Sequence, residues 1–261
     1  IEPGGMPAGA KSLLDEGYRV QGIKVQERGQ INRAAINCLI RSTRDPAYYV
    51  LDLRARIAGL NVAKERFMAL IKRYGVEKVK ACIEQNIDYG EEMARAKLRS
   101  LADGIWRIVS YLELEVGEPK PRLIKVNLEM TKKDDELILD FDASGPNPNY
   151  YNCYLSGAFG LIYVAISSQL FWETPGNWGY IKPIKTYIPQ NCCLNAPYMA
   201  PVSLCAAFPV SEAVTACIGN MLYSNPKLWQ DINAPWQRNC VTPMFWGGLT
   251  QFGSPSGSLF S

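Results

Sequence analysis

Asn177, Trp178 and Tyr180 lie close together in a Pro- and Gly-containing sequence that directly follows a long apolar stretch. An amide side chain both donates and accepts hydrogen bonds, and two aromatic rings can form an apolar wall, so these residue types suit the binding of a small molecule. Pro175 would fix the start of a turn there, and Gly176 is free to adopt a positive φ. The alternative interpretation is that Asn177 caps its own turn and that both aromatic side chains fill the core.

Two carboxylates form a second candidate group. Asp140 and Asp142 are two residues apart on a predicted strand, so both side chains point to the same face. Asn147, Asn149 and Asn152 follow shortly after, and carboxylate and amide oxygens are the ligands that hard cations prefer. The pattern could therefore make a cation site, but it is more typical of two aspartates on the solvent face of a hairpin.

The chain of 261 residues contains no histidine. Histidine is the usual proton shuttle near neutral pH and the commonest metal ligand, so this chain cannot supply a histidine-based catalytic triad or a histidine-ligated zinc. The sequence has no G-x-x-x-x-G-K-[ST] phosphate loop, and no G-x-G-x-x-G opens a helix. The catalytic residues are therefore left unassigned at this point, and we predict no metal ligand in this chain.

Charge and hydropathy argue against several classes of partner. The 28 basic and 25 acidic residues give a net charge of +3, which offers no electrostatic reason for nucleic-acid binding. No apolar run approaches the ~20 residues of a membrane span, and the longest, 158–172, contains two serines and a glutamine and is typical of a buried helix.

Most of the eight cysteines, including Cys82, Cys205 and Cys217 in apolar runs, are interpreted as buried thiols, which favours a reducing cytoplasm.

The elements that would position the candidate residues can be outlined from periodicity. Residues 1–50 are predicted to be a lead-in of loops and extended chain, and residues 51–102 a pair of antiparallel helices joined at Gly75. Apolar residues recur at steps of three and four in both helices. They are Ile57, Leu60, Phe67, Ile71 and Tyr74 in the first helix, and Val76, Val79, Ile83, Ile87, Met93 and Leu98 in the second.

Residues 105–261 are predicted to be rich in β-structure. Alternating apolar residues in 123–130 and 137–141 predict a β-hairpin, a buried helix is predicted over 156–171, and a further helix would begin with Ser211 as its N-cap. The stretch after residue 225 is interpreted as an exposed or partner-bound end. Together these patterns predict a single domain of the α+β class.

The order of four segments resembles the hydantoinase B family, which includes subunits of acetone carboxylase, acetophenone carboxylase, N-methylhydantoinase and 5-oxoprolinase. The segments are GGMPAGAKSLLDEGYRVQGIKV, the two predicted helices within 52–107, ILDFDASGPNPNYYNCYLSG, and TPGNWGYIKPIKTYIPQNCCLNAPYMAPV. The resemblance covers most of residues 1–225. Since family members are more than twice as long, it implies that residues 1–261 form a partial hydantoinase B-like domain within a larger fold, as a middle fragment or a split subunit.

The resemblance also implies a function. In such enzymes an actin-like, ATP-binding partner of the hydantoinase A type phosphorylates the substrate, and the hydantoinase B-type subunit houses the later step. We therefore expect a subunit of an ATP-dependent ketone carboxylase that houses or supports the carboxylation site, because the aromatic residues around Trp178 favour an apolar ketone. Two alternatives stay open: a subunit of an ATP-dependent hydantoinase or 5-oxoprolinase that opens a cyclic amide, and a catalytically silent scaffold subunit, which the absence of histidine favours.

Cofactors and partners follow from the same resemblance. ATP and magnesium would be bound by the hydantoinase A-like subunit. Manganese, zinc or iron would be supplied by other chains, and this chain alone would bind none of these cofactors. The other expected partners are further hydantoinase B-like chains or segments and a small zinc-binding subunit. In the family pattern an Asn opens the buried helix, and Asn152 matches it. Together with the loop residues described above, the expected substrate-binding residues are Asn152, Asn177, Trp178 and Tyr180.

Overall fold

The computed structural model of the chain describes residues 10–16, 20–43, 46–114, 122–146, 151–202, 207–228, 244–249 and 255–260. In chain order its helices and strands are β1 (Gln26–Glu27), β2 (Gln30–Ile31), α1 (Arg33–Arg41), α2 (Pro46–Tyr74), α3 (Val76–Arg99), β3 (Gly104–Leu114), β4 (Arg122–Lys133), β5 (Glu136–Ala143), α4 (Leu155–Gln169), β6 (Ile184–Tyr187), α5 (Ala207–Tyr223), β7 (Met244–Leu249) and β8 (Pro255–Phe260). None of the described helices has the length and hydropathy needed to cross a membrane.

The described residues fall into two compact units. One lies within Gly17–Ala81 and Thr242–Ser261, and the other within Pro7–Glu16 and Cys82–Val241. Compactness does not decide whether a part folds alone, so the single domain predicted from the sequence stays a prediction. The α+β class is confirmed, since both units combine helices with strands.

Helix α2 is the longest element of the first unit. Helix α1 precedes it and is capped by Asn32, whose Oδ1 accepts a hydrogen bond from the backbone N–H of Ala35 at 3.1 Å. Ile36 of α1 packs with Leu53 and Ile57 of α2 in a small core. The same unit contains two antiparallel strand pairs, β1 with β2 and β7 with β8.

The second unit is built on a four-stranded sheet in the order β3-β4-β5-β6. Strands β3, β4 and β5 are antiparallel neighbours, whereas β6 is parallel to β5. Helix α4 connects β5 to β6, as a parallel connection requires. The carboxyl ends of β5 and β6 therefore lie at the same edge of the sheet, next to the start of α4.

One face of this sheet carries the main core. The alternating apolar residues of β4 and β5 are buried as predicted, together with residues of α4 and α5, and the intervening residues form the opposite, open face. The buried set includes Ile124, Val126, Leu128, Met130, Leu137, Leu139, Phe141, Ile162, Ile166, Val214, Ile218 and Met221. The predicted hairpin is thus confirmed with its predicted faces.

Two predicted boundaries were wrong. The lead-in contains helix α1, and α2 begins at Pro46 and not at residue 51. Ser211 does not cap a helix, because α5 already begins at Ala207. The end after residue 225 contains the strands β7 and β8, and its exposure or binding to a partner stays a prediction.

The two predicted helices are confirmed, and Gly75, with a φ of +82°, separates them as predicted. Their antiparallel packing stays a prediction. Apolar residues of both predicted stripes are exposed: Leu60 is 71%, Phe67 46% and Ile83 47% exposed. Periodicity identifies a helix and its apolar stripe, but a short connection does not determine what covers that stripe.

The cysteines differ strongly in accessibility. Burial raises the pKa of Cys153, Cys193 and Cys217 to about 12, whereas Cys38 and Cys82 are exposed. The burial predicted for Cys82 was therefore wrong, and Cys205 and Cys240 lie outside the described residues.

These environments predict different thiol reactivity, because the thiolate is the reacting form. With iodoacetamide at pH 8, we expect Cys38 and Cys82 to be alkylated in the native protein, and Cys153, Cys193 and Cys217 only after unfolding. Peptide mass spectrometry of each site measures this. Native alkylation of Cys217 at the rate of Cys38 would contradict the burial described here.

Candidate functional site

A cavity of about 420 Å³ opens at the carboxyl ends of β5 and β6. In proteins with parallel strands, ligands commonly bind at this edge of the sheet, where the strands end and the crossover helix begins. Three elements and one short connection line the cavity: Asp140 and Phe141 of β5, Leu155 and Phe159 of α4, Thr186 and Tyr187 of β6, and Ile188 and Pro189 after β6.

The lining is mainly apolar and aromatic. The ring of Phe159 stacks on that of Tyr163, one turn later in α4, with centroids 5.9 Å apart and an interplanar angle of 18°. Tyr163 is half-buried, and this burial raises the pKa of its phenol. The aromatic wall is therefore supported from behind by packing.

Asp140 is the acidic side chain of the cavity. It is exposed on the open face of the sheet, where it pairs in register with Glu129 of β4 and Tyr187 of β6. It also lines a second depression of about 400 Å³ on that face, together with residues that include Arg107, Asn127, Glu129 and Asp142.

The other two carboxylates that line this second depression have partners. Glu129 accepts a hydrogen bond from Nε of Arg107 at 2.7 Å, and Asp142 accepts one from Nδ2 of Asn127 at 3.0 Å. Among the described residues, Asp140 has no hydrogen bond or ion pair. An unpaired carboxylate beside an apolar cavity can accept a proton or a hydrogen bond from a bound molecule.

The cation site considered for Asp140 and Asp142 depends partly on Asn147 and Asn149, which lie outside the described residues. Both aspartates are on the solvent-exposed face of the hairpin, which is the more typical arrangement. Within the part of the chain that the structure describes, no three Cys, Asp or Glu side chains are grouped so that they could hold a metal ion.

Asn152 lies at the same edge of the sheet as the cavity, in the segment between β5 and α4. Its side chain is fully buried, and Nδ2 donates a hydrogen bond to the backbone oxygen of Pro201 at 3.0 Å. Asn152 is not among the residues that line the cavity. The structure therefore places it where it can hold the segment that leads into Leu155.

Asn177 lies at the opposite edge, because its loop leads into the amino end of β6. It caps a 3₁₀ turn over Trp178–Ile181: Oδ1 accepts a hydrogen bond from the backbone N–H of Gly179 at 2.7 Å. Its Nδ2 donates to the backbone oxygen and to Oδ1 of Asn86, both at 2.8 Å. The amide is thus turned toward α3.

The two aromatic residues of this loop lie in different surroundings. Trp178 is 66% exposed, whereas Tyr180 is half-buried, with its ring 5.8 Å from that of Phe171. Gly176 does not have the predicted positive φ, because Asn177 makes the turn with an extended backbone (φ −131°, ψ 179°). The structure brings Asn177, Trp178 and Tyr180 together, but it places Asn152 at the other edge of the sheet.

The loop is further held to α3 by charge and close approach. Nζ of Lys182 lies 2.8 Å from Glu91 and 3.4 Å from Asp88, and the hydrogen bond from Lys182 lowers the pKa of Glu91. Gly90 and Gly179 bring the two backbones together, since a Cβ on Gly90 would overlap Oδ1 of Asn177. These contacts describe a structural junction between the loop and the helix.

We expect Asn177→Ala to lower the free energy of unfolding by about 1–2 kcal/mol, because one cap and two hydrogen bonds are lost. The control Asn86→Ala keeps the backbone acceptor and should cost less. Denaturant unfolding of both variants measures the difference. A substrate-binding role for Asn177 stays a prediction; it requires that turnover per folded complex also fall about 10-fold.

Asp140 was predicted from the sequence as a candidate site residue, but the other residues of the cavity were not. Phe159 and Tyr187 belong to elements that meet only because β6 pairs with β5, and no local pattern signals that pairing. The one available signal was the order strand, helix, strand, which predicts a parallel crossover with a ligand site at the carboxyl ends.

The family model that describes hydantoinase B/oxoprolinase matches residues 1–257. The acetophenone carboxylase delta subunit of Aromatoleum aromaticum is 25% identical over 258 residues, which are 97% of this chain and 37% of that protein. The chain covers less than two fifths of the length of the curated relatives that it matches.

Two solved structures share the fold. The nucleotide-free structure of acetone carboxylase, from work on ATP-dependent acetone carboxylation, matches 99% of this chain and 36% of its own, with a TM-score of 0.84 and 19% identity. The ATP-dependent caprolactamase of Pseudomonas jessenii matches 85% of this chain and 39% of its own, with a TM-score of 0.68 and 24% identity. The expected resemblance to a larger hydantoinase B-like fold is therefore confirmed.

Proposed function

Because the chain belongs to the hydantoinase B/oxoprolinase family, we propose that it forms part of an ATP-dependent enzyme complex that carboxylates a small ketone. The observation that carries this proposal is the cavity beside Asp140, because its apolar and aromatic lining suits a ketone better than a polar ring. The likeness to the acetophenone carboxylase delta subunit over almost the whole chain supports it.

The cavity offers the groups that such a reaction needs from this chain. A ketone must lose a proton from the carbon next to its carbonyl group before that carbon can bond to carbon dioxide. Asp140, unpaired among the described residues, is placed to accept this proton as a general base. Phe159 and Tyr187 would hold the apolar part of the substrate against the carboxylate.

The remaining parts of the machinery belong to other chains in this proposal. ATP and magnesium are bound by a hydantoinase A-like subunit, where ATP supplies the phosphoryl group that activates the substrate. Any manganese, zinc or iron comes from further hydantoinase B-like chains or segments, or from a small zinc-binding subunit. The absence of histidine from this chain supports this division of roles.

A second candidate function is the ATP-dependent opening of a cyclic amide. The shared fold with an ATP-dependent caprolactamase favours it. Asp140 would then accept a hydrogen bond from the ring N–H, and the apolar wall would contact the methylene groups of the ring. In the third candidate function, a silent scaffold, the cavity would take no part in turnover.

A substrate panel separates the three functions. The chain is co-expressed with its hydantoinase A-like and other hydantoinase B-like partners, and the complex is supplied with ATP, labelled bicarbonate and either acetone, acetophenone, caprolactam, hydantoin or 5-oxoproline. We expect label in a keto acid. Ring-opened amide without labelled product would instead identify the amidohydrolase, and unchanged rates without this chain would identify the scaffold.

A further inference from the structure

Helix α2 carries an apolar stripe that extends well beyond the core of its unit. Leu53, Ile57, Leu60, Lys64, Phe67, Ile71 and Tyr74 follow one another at alternating steps of four and three residues. This is the spacing of the contact positions in a coiled coil, over three heptads. We call the part from Leu60 to Tyr74 the α2 stripe.

The α2 stripe continues a contact that exists within the unit. Leu53 and Ile57 are 9% and 7% exposed, because they pack against Ile36 of α1. From Leu60 onward most of the same line of residues is open to solvent: Leu60 is 71%, Phe67 46% and Tyr74 45% exposed, whereas Ile71 is half-buried. The neighbouring Met68 and Leu70 widen the stripe and are exposed as well. An apolar surface of this length on a helix is typical of a helix-binding site.

The charged residues around the α2 stripe indicate which kind of helix could bind to it as its occupant. Residues 58–74 contain four basic side chains, Lys64, Arg66, Lys72 and Arg73, but one acidic side chain, Glu65. Lys64 occupies a contact position within the stripe itself, where a single charged residue selects its partner. A second copy of this helix would bring the same positive excess and a second Lys64, whereas an acidic helix would be attracted by that excess and would pair with Lys64.

We propose that the α2 stripe binds an amphipathic helix of a different protein chain, with apolar residues at heptad spacing, an acidic residue opposite Lys64 and acidic flanking positions. Leu60, Phe67 and Tyr74 supply the apolar contacts, and Lys64 sets the register. The proposal is independent of the proposed catalytic function, since it concerns residues outside the unit that contains the cavity.

The test uses the full chain and two synthetic helical peptides of four heptads, with Leu at the contact positions. The acidic peptide has Glu at the flanking positions and at one central contact position; the basic peptide has Lys there. Like charges keep each peptide from pairing with itself. By fluorescence anisotropy we expect the acidic peptide to bind at least about 10-fold more tightly than the basic one.

Three variants assign that binding to the α2 stripe. Phe67→Asp should weaken it about 10-fold or more, whereas Val62→Asp should change it less than about twofold. Val62 is 47% exposed, as Phe67 is 46%, but it lies about 140° away around the helix axis. Lys64→Glu, at an exposed position, should reverse the preference between the two peptides and tests the proposal even if Phe67→Asp does not fold.

Three results would overturn the proposal. Equal affinity for both peptides would show that charge does not select the occupant. Equal losses in Phe67→Asp and Val62→Asp would place binding elsewhere. Dimerisation of the chain alone in sedimentation experiments, abolished by Phe67→Asp, would identify a second copy as the occupant.

Discussion

Replacing Asp140 by Asn is expected to lower the turnover of the assembled complex by about 100-fold or more, the usual contribution of a general base. The amide has the same shape but cannot take up a proton. Asp140 is exposed and has no partner among the described residues, so the free energy of unfolding should change by less than about 0.5 kcal/mol. Steady-state kinetics on the substrate identified by the panel, with denaturant unfolding alongside, measures both effects.

Asp142→Asn is the matched control for this prediction. Asp142 lies on the same strand and the same face, two residues further on, but it is outside the cavity and bonds to Asn127. Its replacement should leave turnover within about threefold of wild type. Equal losses in both variants would point to a general effect of negative charge on this face, and wild-type turnover in Asp140→Asn would remove Asp140 from the mechanism.

Gly179→Ala is expected to destabilise the protein by about 2–3 kcal/mol, because the added methyl group has no space. A Cβ at this position would overlap the backbone oxygen of Ile87 and would lie 2.7 Å from the backbone nitrogen of Glu91. Neither atom can move without a shift of α3 or of the loop. Denaturant unfolding of the variant measures the loss.

Gly176→Ala, three residues earlier in the same loop, is the control. Nothing lies within 4 Å of a Cβ there, and the backbone does not have a positive φ. Both substitutions restrict the unfolded chain equally, so the difference between them isolates the clash at Gly179. Stabilities within about 0.5 kcal/mol of each other would contradict the close contact between loop and helix.

The sequence was most informative where structure depends on near neighbours. Alternation in β4 and β5 predicted the hairpin and its buried face, because both strands and their turn are local. Helices α2 and α3 and the end of α2 at Gly75 could also be predicted, since helix formation follows from the spacing of apolar residues and from capping.

The site was harder to predict, because it depends on contacts between distant segments. The amide of Asn177 was recognised as a functional group, but its partner Asn86 is 91 residues away in sequence, so the direction in which it points could not be inferred. Asp140 was recognised through its spacing from Asp142, whereas its position in a cavity follows from the parallel pairing of β5 with β6. The distance of Asn152 from the aromatic loop could not be inferred for the same reason, and a substrate-binding role for these residues stays a prediction.

Photolabelling with benzophenone tests most directly whether the substrate binds in the cavity beside Asp140. Benzophenone is an aromatic ketone that bonds to nearby C–H groups on illumination, and peptide mass spectrometry locates the bond. In the assembled complex we expect label on Leu155, Phe159 or Ile188, and we expect excess substrate ketone to prevent it. Substrate-protected label on Trp178 or Tyr180, with none in the cavity, would contradict the account and place the substrate at the aromatic loop.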